Sequence, residues 1–427
     1  MRFLKLFCLI YTPASLTLQL QYAIIIILLL INRSNNRRRW LMIVMYVKLK
    51  NICAFDDFHA NFSYPKKIVN SSIEREYLPG FPNFRYKKVN ILLGTNASGK
   101  TSFGKILMYI FNFMKRKELL NITDRISDNK KESVFSIDYV SDKNTLSSLE
   151  VIIPPEEEEY SIERCQISLK RVNIKKGDSY EKCVERMKNG KEVEAFEGLE
   201  ALEKVSKSSG LGWNFTYPMD SNYYIRDIKV DDLENELYLK VLKNVLMTLD
   251  NSIVDIKKVD SIEHTYAIVM NNNNLIIQEG KVLDPNNILS SGTKAGIEIS
   301  GFLTALMEHR NGFYYCDEKF SYIHSDIEKA ILSVMISKLG SGEQMFFTTH
   351  NLDITDMDLP KHSFLFMRKE NIGGKFIISC ESVSNRLKKA TDSVRNAVDN
   401  DIFSVAPRIE LIYDLAYEDD VLDEDVG

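Results

Sequence analysis

Cysteine is sparse and scattered. Cys8, Cys53, Cys165, Cys183, Cys316 and Cys380 include no Cys-x-x-Cys pair and no Cys/His spacing suited to a metal. That argues against a zinc module or a disulfide framework and predicts reduced, mostly buried thiols in a cytosolic protein. Internal repeats are lacking, and no heptad run is long enough for a coiled-coil arm. Only one stretch is strongly apolar, LTLQLQYAIIIILLLI at residues 16–31, and its strictly apolar part, Ala23 to Ile31, is half of what a bilayer core needs. Basic charge is also short where a nucleic-acid surface would want it. The first 44 residues carry six bases and no acid, which leaves 49 bases against 59 acids in the rest. A body broadly painted for nucleic acid is disfavoured, while a local basic groove stays open.

The 427 residues are enough for two or three domains. Two readings of the first 44 residues stand side by side. As a single-span anchor, residues 16–31 would leave the following chain at the cytoplasmic face, because Arg37, Arg38 and Arg39 come next. As a spurious upstream extension, they would precede a fresh start at Met45, where MYVKLKNICAFDDFHANFSYPKK opens an alternating strand. A signal peptide is disfavoured, since no small-residue cleavage site follows. The remainder is expected to be cytoplasmic.

The expected organisation is an extension over 1–44, a lobe over 45–120, an α+β insertion with lobe strands over 121–280, a second lobe over 281–400 and an acidic tail over 401–427. Strands are expected between Met45 and Leu93, with a loop near Pro79-Gly80-Phe81-Pro82. A helix follows, with Phe103, Ile106, Leu107, Ile110, Phe111 and Met114 on one face. Residues 134–141, 148–153 and 162–173 read as antiparallel strands, 194–207 and 229–249 as helices, and 253–260 and 265–270 as strands. After Leu289 the texture becomes helix, strand, helix, strand and then a hairpin over FLFMRKENIGGKFIISC.

Four motifs carry chemistry. The first is GTNASGKTS, at residues 94–102, which fits Gly-x-x-x-x-Gly-Lys-Thr between the apolar VNILL and the helix. Glycines at Gly94 and Gly99 let the backbone turn its N–H groups, including those around Asn96, Ser98 and Ser102, toward phosphate. Lys100 can reach the β- and γ-phosphates of ATP, and the Thr101 hydroxyl can ligate Mg²⁺. The second is GFYYCDE, a buried strand ending in two acids, with Asp317 placed for the metal and Glu318 for orienting and deprotonating water. Ser325 and Glu328 then read as a capping box, with Ile331, Val334 and Met335 on one helix face and Gly340 as the stop. The third is LSSGT at 289–293, where Ser290, Ser291 and Gly292 open a helix as an anion site or as an ordinary cap. The fourth is FFTTH, which puts His350 at the end of a strand neighbouring Asp317.

Together GTNASGKTS, LSSGTK, FYYCDE and FFTTH resemble the ABC-type ATPase heads of the RecF/SMC/OLD group, and within it the small bacterial predicted ATPases often labelled AAA family. The resemblance covers Met45–Thr101 and Leu289–Glu370. It implies an α/β P-loop NTPase fold with a mixed sheet, helices and an antiparallel β lobe, interrupted by an α+β insertion between Walker A and the signature motif. It implies that Lys100 and Thr101 are the Walker A pair, Asp317 and Glu318 the Walker B pair, His350 the switch histidine and Leu289–Thr293 the signature. Here Ser291 and Thr293 stand where transporters usually have Gly and Gln. His324-Ser325-Asp326 matches the D-loop poorly. The resemblance also implies ATP and Mg²⁺ as the ligands, and a homodimer in which each signature caps the ATP of the other copy.

The pathway stays open at this level. A regulatory ATPase with a separate effector, in phage defence or a nucleic-acid transaction, is the leading expectation. No small-molecule substrate beyond ATP is expected. A repair or chromosome-type ATPase is the alternative, though the chain lacks its long heptads. ABC transport is disfavoured by the 190 or so residues between Lys100 and LSSGT, and by one short span that makes no permeation path. Glu318 argues against a scaffold without chemistry.

Overall fold

The computed structural model describes residues 41–69, 71–142, 144–156, 159–208, 210–216, 236–271, 273–283, 288–389, 392–403 and 410–414, all within one compact unit. The apolar stretch 16–31, the first part of the expected 229–249 helix and the end of the acidic tail lie outside them. No helix among the described residues is long and apolar enough to cross a membrane.

VNILL, FYYCD and QMFFT are near-continuous apolar runs, and such runs suit strands covered on both faces. Every residue of Val89–Leu93, Phe313–Asp317 and Gln344–Thr348 is buried. They form the centre of a six-stranded sheet in the order Trp213–Thr216, Phe313–Asp317, Gln344–Thr348, Val89–Leu93, Phe364–Ile372, Lys375–Ser382. The first five strands are parallel, and the last returns antiparallel through Gly373-Gly374 as the expected hairpin. Helix Lys100–Arg116 lies against this sheet, and all six residues of its expected apolar face are buried.

A second six-stranded sheet is antiparallel, in the order Phe58–Asn61, Ile43–Lys50, Ser133–Val140, Thr145–Ile153, Gln166–Asn173, Val193–Glu197. Its strand Ile43–Lys50 runs through the boundary expected after residue 44. Ile43 and Val44 pair with Val140 and Tyr139, and the Val44 N–H donates to Gln344 Oε1 at 2.9 Å. Residues 41–44 therefore belong to this lobe. The hairpin Tyr77–Leu78/Phe81–Arg85 turns at Pro79-Gly80, as expected.

Within and just past the expected insertion lies a four-stranded antiparallel meander, Ile253–Lys258, Thr265–Met270, Asn274–Gln278 and Lys281–Leu283, covered by helix Glu236–Leu249. That helix packs along Ser291–Met307, so Tyr238, Leu242, Ile268, Leu289 and Ile297 share one core.

Several expectations are corrected. Residues 194–207 are not one helix: Val193–Glu197 is an edge strand on Gln166–Asn173, and Gly198, at φ +55°, starts the helix Gly198–Ser206. Strand pairing outweighs helix propensity there. Residues 162–164 are a 3₁₀ turn rather than strand, and Tyr180–Lys188 is a further helix. The helix Ser325–Lys338 is capped by His324, whose ring accepts from Asp326 N–H, while Ser325 Oγ instead donates to Asp353. Its buried face is Ile331, Leu332 and Met335, with Val334 exposed.

Gly104 ties the helix to the sheet. The Tyr315 ring lies where a Cβ would stand, and the Tyr315 hydroxyl donates to the Lys100 carbonyl at 3.0 Å. In an open helix Gly→Ala stabilises by about 0.5–1 kcal/mol. Here overpacking at about 1–3 kcal/mol reverses the sign. Gly104→Ala is expected to lower the melting temperature measured by circular dichroism. A rise would mean that helix and strand do not pack this closely.

Candidate functional site

The turn after Val89–Leu93 is shaped by two glycines, one closed in by backbone and the other held at positive φ. A Cβ at Gly94 would collide with the Met367 carbonyl on the neighbouring strand, and it would stand 2.7 Å from Ser98 Oγ. Gly99 has φ +103° and caps helix Lys100–Arg116; a Cβ there would meet the Ile378 side chain at 2.9 Å. Ala97, at φ +62°, takes the left-handed conformation with a side chain attached. Asn96 is exposed at the tip, Thr101 and Ser102 are half-buried on the first helical turn, and Ser98 Oγ is buried without a hydrogen-bond partner among the described residues. The first N–H groups of the helix have no intrahelical acceptor, so the turn offers donors to an anion.

Lys100 curls back into this turn. Its ammonium donates to the Gly94 carbonyl at 2.7 Å and the Thr95 carbonyl at 3.1 Å, and lies 3.0 Å from Glu318 Oε1. Glu318 has φ +39°, and its N–H reaches both the carbonyl (3.1 Å) and the hydroxyl (3.0 Å) of Thr348. Thr348 Oγ1 in turn donates to Asp317 Oδ1 at 2.6 Å. Asp317 is fully buried, and its Oδ2 has no hydrogen-bond partner among the described residues. Burial pushes its carboxyl up to about 6. Thr348 and Thr101 pull the other way, Glu318 adds to the rise and Lys100 opposes it.

The structure thus gathers Lys100 and Thr101, at the start of the helix after Val89–Leu93, with Asp317 and Glu318, at the end of Phe313–Asp317, across the strand Gln344–Thr348 that lies between the two. His350 is not part of this group. It is exposed two residues beyond Thr348, no hydrogen bond or ion pair is seen for it among the described residues, and it acts on Glu328 on the neighbouring helix. The residue of FFTTH that touches both acids is Thr348. Register decides this, because Asp317 pairs directly with Thr348. The hydroxyl at the strand's last residue is the only local sign of it.

Ser290, Ser291 and Gly292 form a second group. Ser290 Oγ accepts from the Thr293 N–H at 3.1 Å and shares a hydrogen bond with Thr293 Oγ1 at 2.8 Å, so this hydroxyl acts first as a helix cap. Ser291 is exposed at the start of helix Ser291–Met307. Gly292 is buried against the Tyr322 carbonyl, 2.7 Å from where its Cβ would be. Lys319, next to Glu318, is buried and pairs with Glu298 on the same helix at 2.5 Å, a contact the sequence does not announce.

The site fits a metal-bound nucleotide on one structural ground. A buried carboxylate oxygen lacking a partner, beside a threonine hydroxyl and a lysine, is costly unless something positive satisfies it. Magnesium takes one or two protein ligands and completes its shell with phosphate and water.

No family model matches this chain, and no curated protein matches it. Among solved structures it is similar to the Smc head domain with an extended coiled coil from Pyrococcus furiosus, bound to the C-terminal domain of ScpA. The identity is 11%, the TM-score 0.48, and the match covers 82% of this chain and 98% of that one. It is also similar to the SMC head domain from Thermotoga maritima, at 11% identity and TM-score 0.35, over 79% of this chain and 98% of that one. The recombination mediator protein RecF, in a RecF-ATPrS structure, matches at 10% identity and TM-score 0.40, over 80% of this chain and all of that one. At these values the likeness carries no function to this chain.

Asp317 yields a pH-dependent stability test. Its pKa is raised in the folded chain, so its charge destabilises the fold fully above about pH 6 and not at all below about pH 4. Asp317→Asn is expected to melt higher than wild type near pH 7.5, with the gap closing as pH falls through about 6 toward 4. A gap independent of pH would contradict the buried charge.

Proposed function

We propose that the chain is a P-loop ATPase whose two copies are held together by ATP. The carrying observation is the convergence of Lys100, Thr101, Asp317 and Glu318 on one point beside a glycine turn and a helix N-terminus. In this reading Gly94, Asn96, Ser98, Gly99 and Ser102 line the phosphate cradle. Lys100 moves its ammonium from the turn carbonyls to the β- and γ-phosphates. Thr101 and Asp317 hold Mg²⁺, which would neutralise charge on the phosphate oxygens. Glu318 orients a water and accepts its proton, with its backbone held by Thr348.

The second group supplies the other half of the site. Ser291 and the N–H groups at Gly292 lie at a helix start, suited to the γ-phosphate held by a second copy. Ser290 contributes by shaping that turn. His350 is retained as a switch residue that approaches the phosphate only once the two copies close, which its exposure permits. Nucleotide is then the bond between copies, and hydrolysis releases them.

Such a cycle is a switch, and we assign it to a regulatory ATPase that drives a separate effector protein, in phage defence or in a nucleic-acid transaction. The acid excess beyond residue 44 supports leaving broad nucleic-acid contact to that partner. We take the antiparallel lobe, the P-loop lobe, the insertion and the signature lobe as its working parts, placed in the cytoplasm.

Two variants test the reading. Lys100→Ala is expected to abolish ATP turnover in a phosphate-release assay; unchanged release would remove the P-loop assignment. Glu318→Gln is expected to bind ATP without hydrolysing it and to accumulate as a dimer. Size-exclusion chromatography with ATP and Mg²⁺ should show that dimer, and a monomer at every protein concentration would refute ATP-held pairing.

A further inference from the structure

Between Glu318 and the helix Ser325–Lys338 the chain runs through a short loop that is fastened along its length. Ser321 Oγ donates to the Glu318 carbonyl at 2.8 Å. Phe320 is buried, its ring 5.3 Å from Phe347 on the strand that ends at Thr348. Lys319, with its side chain only 1% exposed, reaches Glu298 Oε2 at 2.5 Å. The Tyr322 carbonyl fits against Gly292, while the Tyr322 side chain is exposed.

Two of these fastenings grip the same helix. Gly292 is in its first turn, and Glu298 lies six residues further along, so the loop holds the helix at two separate levels. One loop therefore begins at the carboxylate assigned to water activation and holds the helix that presents the signature turn. Buried ion pairs add little net stability, and their best-attested use is to fix register between elements. A glycine that admits a carbonyl, next to such a pair, leaves the helix little freedom to slide on the loop.

We infer that Lys319 is a positioning residue: through Glu298 it fixes the chain's own signature turn relative to its own Glu318, so that the two half-sites of one copy move together. This rests on the ATPase reading above and adds the coupling between its halves. A copy whose Glu318 is set by nucleotide then offers a correctly placed Ser291 to its partner. A copy without that link binds nucleotide and pairs poorly.

The test uses the full chain and three variants: Lys319→Met, Lys319→Arg, and the apolar pair Lys319→Met with Glu298→Leu. The measurements are binding of a fluorescent ATP analogue to dilute monomer, ATP-driven dimerisation in the Glu318→Gln background, and kcat against KM for ATP. Lys319→Met is expected to weaken the ATP dimer and to lower kcat, each by about tenfold or more, with monomer affinity changed by no more than about twofold. Lys319→Arg should recover most of both. The apolar pair should regain wild-type melting temperature without regaining dimerisation, which separates coupling from folding. An apolar pair that dimerises and turns over like wild type would overturn the inference, as would a loss confined to monomer affinity. Wild-type protein with no ATP turnover would overturn the ATPase reading and this inference together, whereas turnover in wild type with an indifferent apolar pair would overturn the coupling alone.

Discussion

Sheet register is the constraint on which the rest depends. Asp317 pairs with Thr348, Thr348 with Leu92, and Leu92 with Leu365, so one line crosses four parallel strands at the level where the glycine turn begins. A strand slipped by one residue would turn its side chains to the opposite face. Asp317 would then lose the Thr348 hydroxyl, and Glu318 would lose the contact that holds its left-handed backbone. The hairpin strand takes part in the same alignment, because the Met367 carbonyl passes over Gly94 and permits no side chain there. The site's chemistry is therefore a consequence of strand alignment as much as of residue type.

That alignment concentrates charge where water is scarce. Asp317 and Lys100 are both buried, and each would be costly alone. Lys100 is satisfied by two carbonyls and Glu318, whereas Asp317 is satisfied on one oxygen only. The imbalance is local and one-sided: donors are plentiful on the turn, and the missing partner belongs beside a carboxylate. A ligand carrying both a cation and an anion would satisfy both sides, which is why a metal-bound polyphosphate fits better than either ion alone. The stability lost to that carboxylate is the ordinary cost of preorganising a site.

Much of this was legible in the sequence because it is local. The glycine spacing from Gly94 to Gly99, the apolar run into Asp317, the serine cap at Ser290 and the hairpin around Gly373 are each set by a few neighbouring residues. What was illegible depends on partners far along the chain. Nothing near Thr348 says that it sits opposite Asp317, and nothing near Lys319 points to Glu298. His350 was the more conspicuous residue of its motif, yet the strand ends two residues before it. Val193–Glu197 has a helix-like composition, and it became a strand because Gln166–Asn173 offered an open edge. The strand start at Ile43 was hidden by an apolar, basic stretch that drew attention to Met45.

Strand alignment also limits what can move at this site. Gln344, at the start of the strand that ends at Thr348, is fully buried; its amide donates to the Val44 and Lys87 carbonyls at 3.1 and 3.0 Å and accepts from the Val44 N–H. One side chain thus joins the antiparallel lobe to the central sheet and fixes the strand from behind. With Thr348 anchored by Gln344 and Gly94 held under Met367, neither the threonine nor the glycine turn has room to travel far. Conformational freedom is left to side chains that exchange partners, such as Lys100 and Glu318. A switch built on this scaffold would act by re-pairing charges at a rigid strand edge, with the fastened loop after Glu318 carrying the change to the helix Ser291–Met307.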